Sequence, residues 1–179
     1  MSKNKLVGLL RSFSNTELSQ IRKYLLSPFF NEQQNVISLF DYLQKKVLTK
    51  KEDYDFDKLK IWQSVYKEKP YKDVQLRRLF SDLNKMVNDF MAYRQFDKRA
   101  ALSSIYVMNE LQYSTLEKQF EGVYRSANLK QTKSQKRNAD YHFYQFLIEK
   151  SYHEHVEFRG LKNFTFDHLE AADHALDCF

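Results

Sequence analysis

Between Pro70 and Gly122 the sequence holds neither glycine nor proline, and inside that interval the stretch Tyr71 to Phe96 keeps one helical period. From Asp73 onward its apolar residues are Val74, Leu76, Leu79, Phe80, Leu83, Met86, Val87, Phe90, Met91 and Tyr93. Steps of three and four residues predominate, which draws a stripe along one face of an α-helix and not the alternation of a strand. Pro70 lies just before the start, and Asp73 is expected to cap the first free amides and to favour the positive helix end. On the back, Arg78 stands four residues before Asp82 and Lys85 four before Asp89, the spacing at which opposite charges meet. Such a helix has a solvated back and a front that other helices must cover.

The rest of the chain extends this pattern. With 3 Gly and 2 Pro in 179 residues there are few sharp turns, and no convincing strand or hairpin signal is present, so the expected class is all-α. Lys5 to Phe13 forms a short first segment with Leu6, Leu9, Leu10 and Phe13 on one side. Ser14 and Glu17 match a capping box opening a helix with Leu18, Ile21, Leu25 and Leu26, which must stop near Ser27 because Pro28 follows. Phe29 and Phe30 are expected to plug the core at this corner, and Asn31 to cap a helix bearing Val36, Ile37, Leu39, Phe40, Leu43 and Val47. Asp55 is expected to cap a short helix with Leu59, Ile61, Trp62, Val65 and Tyr66. After a break at Asp97, Ala100–Leu111 forms a further helix. Ser114 and Glu117 match a second capping box, leading into Leu116, Phe120, Val123 and Tyr124. Lys130 to Arg137 reads as a polar loop, and Asn138 caps a strong helix that Gly160 ends. The last segment spaces Leu169, Ala172, Leu176 and Phe179 by three or four residues and then stops without a cap.

Composition narrows the chemistry. An aromatic content of 16% could serve a stacking or groove-binding surface, but most of these rings fall on apolar helical faces and are read as core filling. The single cysteine, Cys178, allows no intramolecular disulfide and fits a reducing compartment. The run Leu6–Leu10 is too short for a signal-peptide core, and no apolar run approaches the roughly 20 residues a membrane span needs. The expected location is cytoplasmic. The formal net charge of +6 hides an asymmetry: residues 1–138 hold 26 Lys and Arg against 15 Asp and Glu, and residues 139–179 hold 3 against 8. A basic front with an acidic tail suits an anionic partner, association between copies, or solubility alone.

Catalytic and metal chemistry find little support. The 5 His all lie in the acidic tail, at 142, 153, 155, 168 and 174, and are expected to face solvent. Their spacings of two and six do not place ligand pairs on one helix face. Cys178 is penultimate, where activation by a positioned base is not expected, and the 3 glycines are isolated, so no phosphate-cradling loop is read. No catalytic residue, cofactor, metal or small-molecule substrate is inferred, and an enzyme is not expected.

Two resemblances add to this reading. Leu59-Lys60-Ile61-Trp62 followed by Leu76-Arg77-Arg78-Leu79-Phe80-Ser81-Asp82-Leu83 resembles the positioning and recognition helices of winged-helix response-regulator domains. That resemblance implies a helix-turn-helix over 55–96, with Gln75, Arg77, Arg78 and Ser81 toward the major groove of DNA. The chain departs from it by running on into another helix where those domains place a two-stranded wing, and Asp82 and Asp89 would repel phosphates. Across more of the chain, Leu26-Ser27-Pro28-Phe29-Phe30-Asn31, Leu76–Leu83 and Asn138-Ala139-Asp140-Tyr141 together resemble a family of all-helical bacterial proteins without an assigned activity. The resemblance implies longer members that continue into further helical pairs, and would make the uncapped end a truncation.

The expectation is an all-α protein: an N-terminal helical module over 1–97, then helical hairpins over 98–179 stacked in a tetratricopeptide-like manner. Its expected work is protein–protein contact or self-association, with Leu169, Leu176 and Phe179 as the partner-binding stripe. The alternative is DNA binding through Gln75, Arg77, Arg78 and Ser81.

Overall fold

The computed structural model describes residues 4–46, 48, 57–133 and 137–160, and among these every regular element is a helix. The chain divides into two compact units, Met1–Tyr93 and Arg94–Phe179.

In the first unit, α1 (Lys5–Arg11) starts at Asn4, whose side chain accepts from the Leu6 and Val7 amides. The expected capping box opens α2 (Asn15–Leu26): Glu17 N donates to Ser14 Oγ at 3.3 Å, and Ser14 N to Glu17 Oε2 at 2.8 Å. The helix stops before Ser27 and Pro28, as the proline requires. Helix α3 (Gln34–Lys46) is tied to α2 by a two-pronged ion pair, Arg22 Nε to Asp41 Oδ1 at 2.8 Å and Nη2 to Oδ2 at 3.0 Å. The short α4 (Lys58–Tyr66) is capped by Asp57; the expected cap, Asp55, lies outside the described residues. Helix α5 (Asp73–Asp97) buries Leu76, Leu79, Leu83, Val87 and Phe90. These residues join one continuous core with Leu6, Val7 and Leu10 of α1, Leu18, Ile21 and Leu25 of α2, the α3 stripe, and Ile61, Trp62, Val65 and Tyr66 of α4.

Several local expectations for this unit are corrected. Asp73 is the first residue of α5 and not its cap, and its carboxylate accepts instead from Lys58 Nζ, Tyr71 Oη and Arg77 Nε at 2.8–2.9 Å. These donors hold its pKa below the ordinary carboxylate value, Lys58 contributing most. The ion pair on the exposed part of α5 is therefore Arg77–Asp73; Arg78 makes none among the described residues. Val74, Met91 and Tyr93 fall off the buried stripe and are exposed.

In the second unit, α6 (Ala100–Leu111), α7 (Glu117–Thr132) and α8 (Ala139–Phe158) each pack on the other two. Asn138 caps α8 as expected, its Oδ1 accepting from the Tyr141 amide at 3.1 Å. Gly160 turns the chain after α8 at φ +69°, a conformation natural to glycine. The second capping box does not form. Helix α7 begins at Glu117, too late for the pairing, because Ser114 Oγ is spent on the Leu111 carbonyl and on the Leu116 amide. Glu117 instead meets Arg159 at 2.8 Å. The loop expected from Lys130 starts later, since α7 runs to Thr132 and the buried Gln131 donates to the Tyr141 carbonyl at 2.9 Å.

Candidate interaction surfaces

The turn between α2 and α3 overturns the expectation that Phe29 and Phe30 fill the core. Phe29 is 87% exposed and Phe30 37%. The reason is the backbone. Pro28 forces Ser27 into an extended conformation, and the Phe30 and Asn31 amides both donate back to the Ser27 carbonyl at 3.0–3.1 Å. Asn31, expected as a helix cap, is the residue that goes inside. Its Nδ2 donates to the Leu25 carbonyl at 2.8 Å and its Oδ1 accepts from Gln33 N at 2.9 Å, so one buried amide joins the end of α2 to the approach of α3.

With Asn31 inside, the two phenylalanines must point outward. Phe30 stacks on Tyr24 with centroids 4.2 Å apart and planes 18° from parallel. Phe29 stands edge-on to Phe30 at 5.0 Å, and Tyr93 lies 5.5 Å from Phe30. Tyr24 also meets the edge of Phe90, which is part of the core, at 5.6 Å. Burial, aided by the charge of Asp89, raises the Tyr24 pKa and keeps its hydroxyl a neutral hydrogen-bonding group. The result is a graded aromatic corner: anchored in the core at Phe90, half-covered at Tyr24, and open to water at Phe29. Burying one such ring removes on the order of 2 kcal/mol of exposed apolar surface.

The second surface is the outward side of α5. Gln75, Arg77, Arg78 and Ser81 are all exposed, so a groove could reach them. Arg77, however, is folded back onto Asp73 at 2.9 Å, which leaves Arg78 as the cation of this set with no partner among the described residues. The turn before α5 is closed by Trp62, whose Nε1 donates to the Lys69 carbonyl at 2.7 Å and whose ring meets Tyr66 and Tyr71 at 4.2 and 5.5 Å. Lys67 in that turn has φ +55°, a strained conformation for a side chain of this kind.

The third feature is internal. His155, expected at the surface, is only 4% exposed: its ring stacks on Phe120 at 3.9 Å and its Nδ1 meets the Gln112 carbonyl at 2.7 Å. Tyr152 lies 6.2 Å from Phe120 and stacks on Tyr124 at 4.1 Å. Phe120 and Tyr124 of α7 thus pack ring on ring with His155 and Tyr152 of α8, a column shared by the two helices. At its rim Tyr124 Oη donates to Glu149 Oε2 at 3.2 Å, and Gln145 Nε2 donates to Glu149 Oε1 and Asn128 Oδ1 at 2.9 Å each. Burial, with the Glu149 charge behind it, pushes the Tyr124 pKa far up, so this hydroxyl stays a donor and not a base. The signal that could have identified His155 is its spacing: it follows the buried Ile148 and Ser151 by seven and four residues.

Among the described residues no cluster of three or more His, Cys, Asp or Glu side chains is placed to hold a metal ion, and no helix is long and apolar enough to cross a membrane. Leu169, Leu176, Phe179, His168, His174 and Cys178 lie outside the described residues. Comparison of the chain with protein-family models, with curated proteins and with solved structures finds no match in any of the three.

Proposed function

We propose that the protein is a non-catalytic interaction scaffold whose helices hold an aromatic corner, centred on Phe29, for another protein to bury. The observation that supports this reading is the combination of 87% exposure at Phe29 with a rigid foundation: the Asn31 bonds fix the backbone on both sides of the ring. A ring presented by a fixed turn gives up little conformational freedom on binding, so most of its burial remains as affinity. The second unit contributes α6–α8, which we take to open a series of tetratricopeptide-like hairpins; the work is taken to be cytoplasmic. The direct test is quantitative affinity capture from the native host with wild type and Phe29→Ala. One protein retained by wild type, depleted at least about tenfold by the substitution and rebinding when purified, supports the reading. Identical captures from both chains refute it.

DNA binding through α5 is the second reading, favoured by the exposure of Gln75, Arg78 and Ser81 and by Arg78 having no ion-pair partner among the described residues. It requires duplex binding that falls steeply with salt and is abolished by Arg77→Ala with Arg78→Ala. No binding at low salt removes it.

A further inference from the structure

The aromatic corner belongs to a stretch of chain with a large cationic excess, 26 Lys and Arg against 15 Asp and Glu over residues 1–138. The charges beside the corner run the other way. On α5, Asp89 stands four residues before Tyr93 and Asp82 eleven before it, spacings that return to one flank of a helix. Tyr93 meets the rings of Phe30 and Tyr24, and the charge of Asp89 is felt at the Tyr24 hydroxyl. Glu32, exposed, follows Phe29 by three residues. Asp82, Asp89 and Glu32 have no ion-pair partner among the described residues. The nearby cations do not compensate them. Lys85 stands within a turn of both aspartates and pairs with neither, Arg22 is turned to Asp41, and Lys23 falls on the side of α2 opposite the buried Leu18, Ile21 and Leu25.

We infer that the partner taken by the corner is a basic amphipathic helix: an apolar side chain rests against Phe29 and Phe30, and Lys or Arg residues beside it meet Asp89 and Asp82. The inference rests on the corner being an interaction site and names the chemistry of what binds there. Phe29 stands at 87° to Phe30, so the two rings form a right-angled ledge for one apolar anchor. Ring faces and carboxylates attract the same charge, so a cation next to that anchor gains from both. Asp82 and Asp89 lie seven residues apart, about 10 Å along α5, the spacing at which a second helix laid beside it offers two cations from one face. An acidic segment, which the cationic excess favours in general, is repelled at this place. The corner is thereby selective against the partners that the surrounding charge attracts.

The test pans a phage-displayed library of randomised helical peptides on the full chain, with counter-selection on Phe29→Ala. The net charge of +6 favours acidic peptides, so a basic selection is the more demanding outcome. Peptides retained by wild type should carry an excess of Lys and Arg around an apolar anchor. Asp82→Asn with Asp89→Asn should weaken the best of them about tenfold, an effect that fades as salt is raised. Lys85→Ala, which removes a like charge from the same helix, should tighten it about twofold. Enriched peptides that are acidic or uncharged, or a best peptide indifferent to the double substitution, would overturn the inference and leave the corner as an apolar site. No enrichment over Phe29→Ala would overturn the corner and the inference together. A wild-type dimer in sedimentation that Phe29→Ala dissociates would assign the corner to a second copy and overturn the inference as well.

Discussion

The two units are held together by different chemistry. In the first, twenty buried apolar residues from five helices form one cluster, and the buried polar residue among them, Asn31, lies at the edge, fastening a turn. In the second, six buried apolar residues, five of them in one cluster, share the described interior with Ser104, Gln112, Gln131, Ser151 and His155. A dry core rests on the burial of apolar area, which is non-directional and asks for no specific partner. A core with buried polar groups needs each one paired, a demand the dry core avoids, and Gln131, Ser151 and His155 meet it through bonds to neighbouring helices. What it gains is a defined register, because the ring pairs of α7 and α8 meet only when both helices are correctly phased.

The largest effect should come from placing a charge in the dry core. Leu83 is fully buried in the middle of α5, and Leu83→Asp should cost more than about 4 kcal/mol and unfold the first unit. Chemical denaturation followed by the fluorescence of Trp62, which lies in that unit, checks this; a midpoint near wild type would show that the dry core is not what holds the unit. Phe120→Ala should come next, at about 3–5 kcal/mol, since it removes the ring that His155 and Tyr152 stack on. Hydrogen exchange of the α7 and α8 amides reads that loss without relying on a tryptophan.

Two substitutions of similar size sharpen the contrast. Asn31→Ala removes the donor to the Leu25 carbonyl, and His155→Ala the partner of the Gln112 carbonyl, each leaving a buried acceptor unpaired at about 1–3 kcal/mol. Asn31→Ala should act mainly on the turn, raising amide exchange in residues 27–33 while the α5 core stays protected. His155→Ala should raise exchange along much of α7 and α8, because its ring is part of the column. Equal, local effects would mean that the second core is as tolerant as the first.

This difference also decides what could be read in the sequence. The stripes of α2, α3 and α5 were legible because a dry core demands apolar residues at a strict period, and Leu76, Leu79, Leu83 and Val87 meet that demand. The side chains that pair in the second unit were not, because Gln131, Ser151 and His155 look like surface residues until their partners from another helix are known. The same blindness hid the aromatic corner: the hydrophobicity of Phe29 pointed inward, whereas the backbone bonds of Ser27 and Asn31 decided the direction. Capping was legible only where the helix began at the expected residue. Ser14-Asn15-Thr16-Glu17 and Ser114-Thr115-Leu116-Glu117 share one pattern, and only the first forms the box.

The smallest expected effect concerns backbone strain in the dry-core unit, and its sign is opposite to the others. Lys67, at the C-terminal end of α4, has φ +55° and ψ −120°, a region that side chains avoid because Cβ crowds the neighbouring backbone. The conformation is enforced from both sides: the Lys67 amide bonds to the Gln63 carbonyl at 3.0 Å, and two residues later Lys69 must offer its carbonyl to Trp62 Nε1 at 2.7 Å. Such strain costs about 1–3 kcal/mol, while glycine's extra freedom in the unfolded chain costs about 1 kcal/mol. Lys67→Gly should therefore stabilise the first unit by up to about 2 kcal/mol, raising its denaturation midpoint in proportion. Lys67→Ala keeps the Cβ and loses only the charge, so its midpoint should match wild type. If alanine stabilises as much as glycine, repulsion from Lys69 and Lys72 and not the backbone is the source. If glycine destabilises, the turn is held by less than the Trp62 bond implies, and the dry core alone sets the angle between α4 and α5.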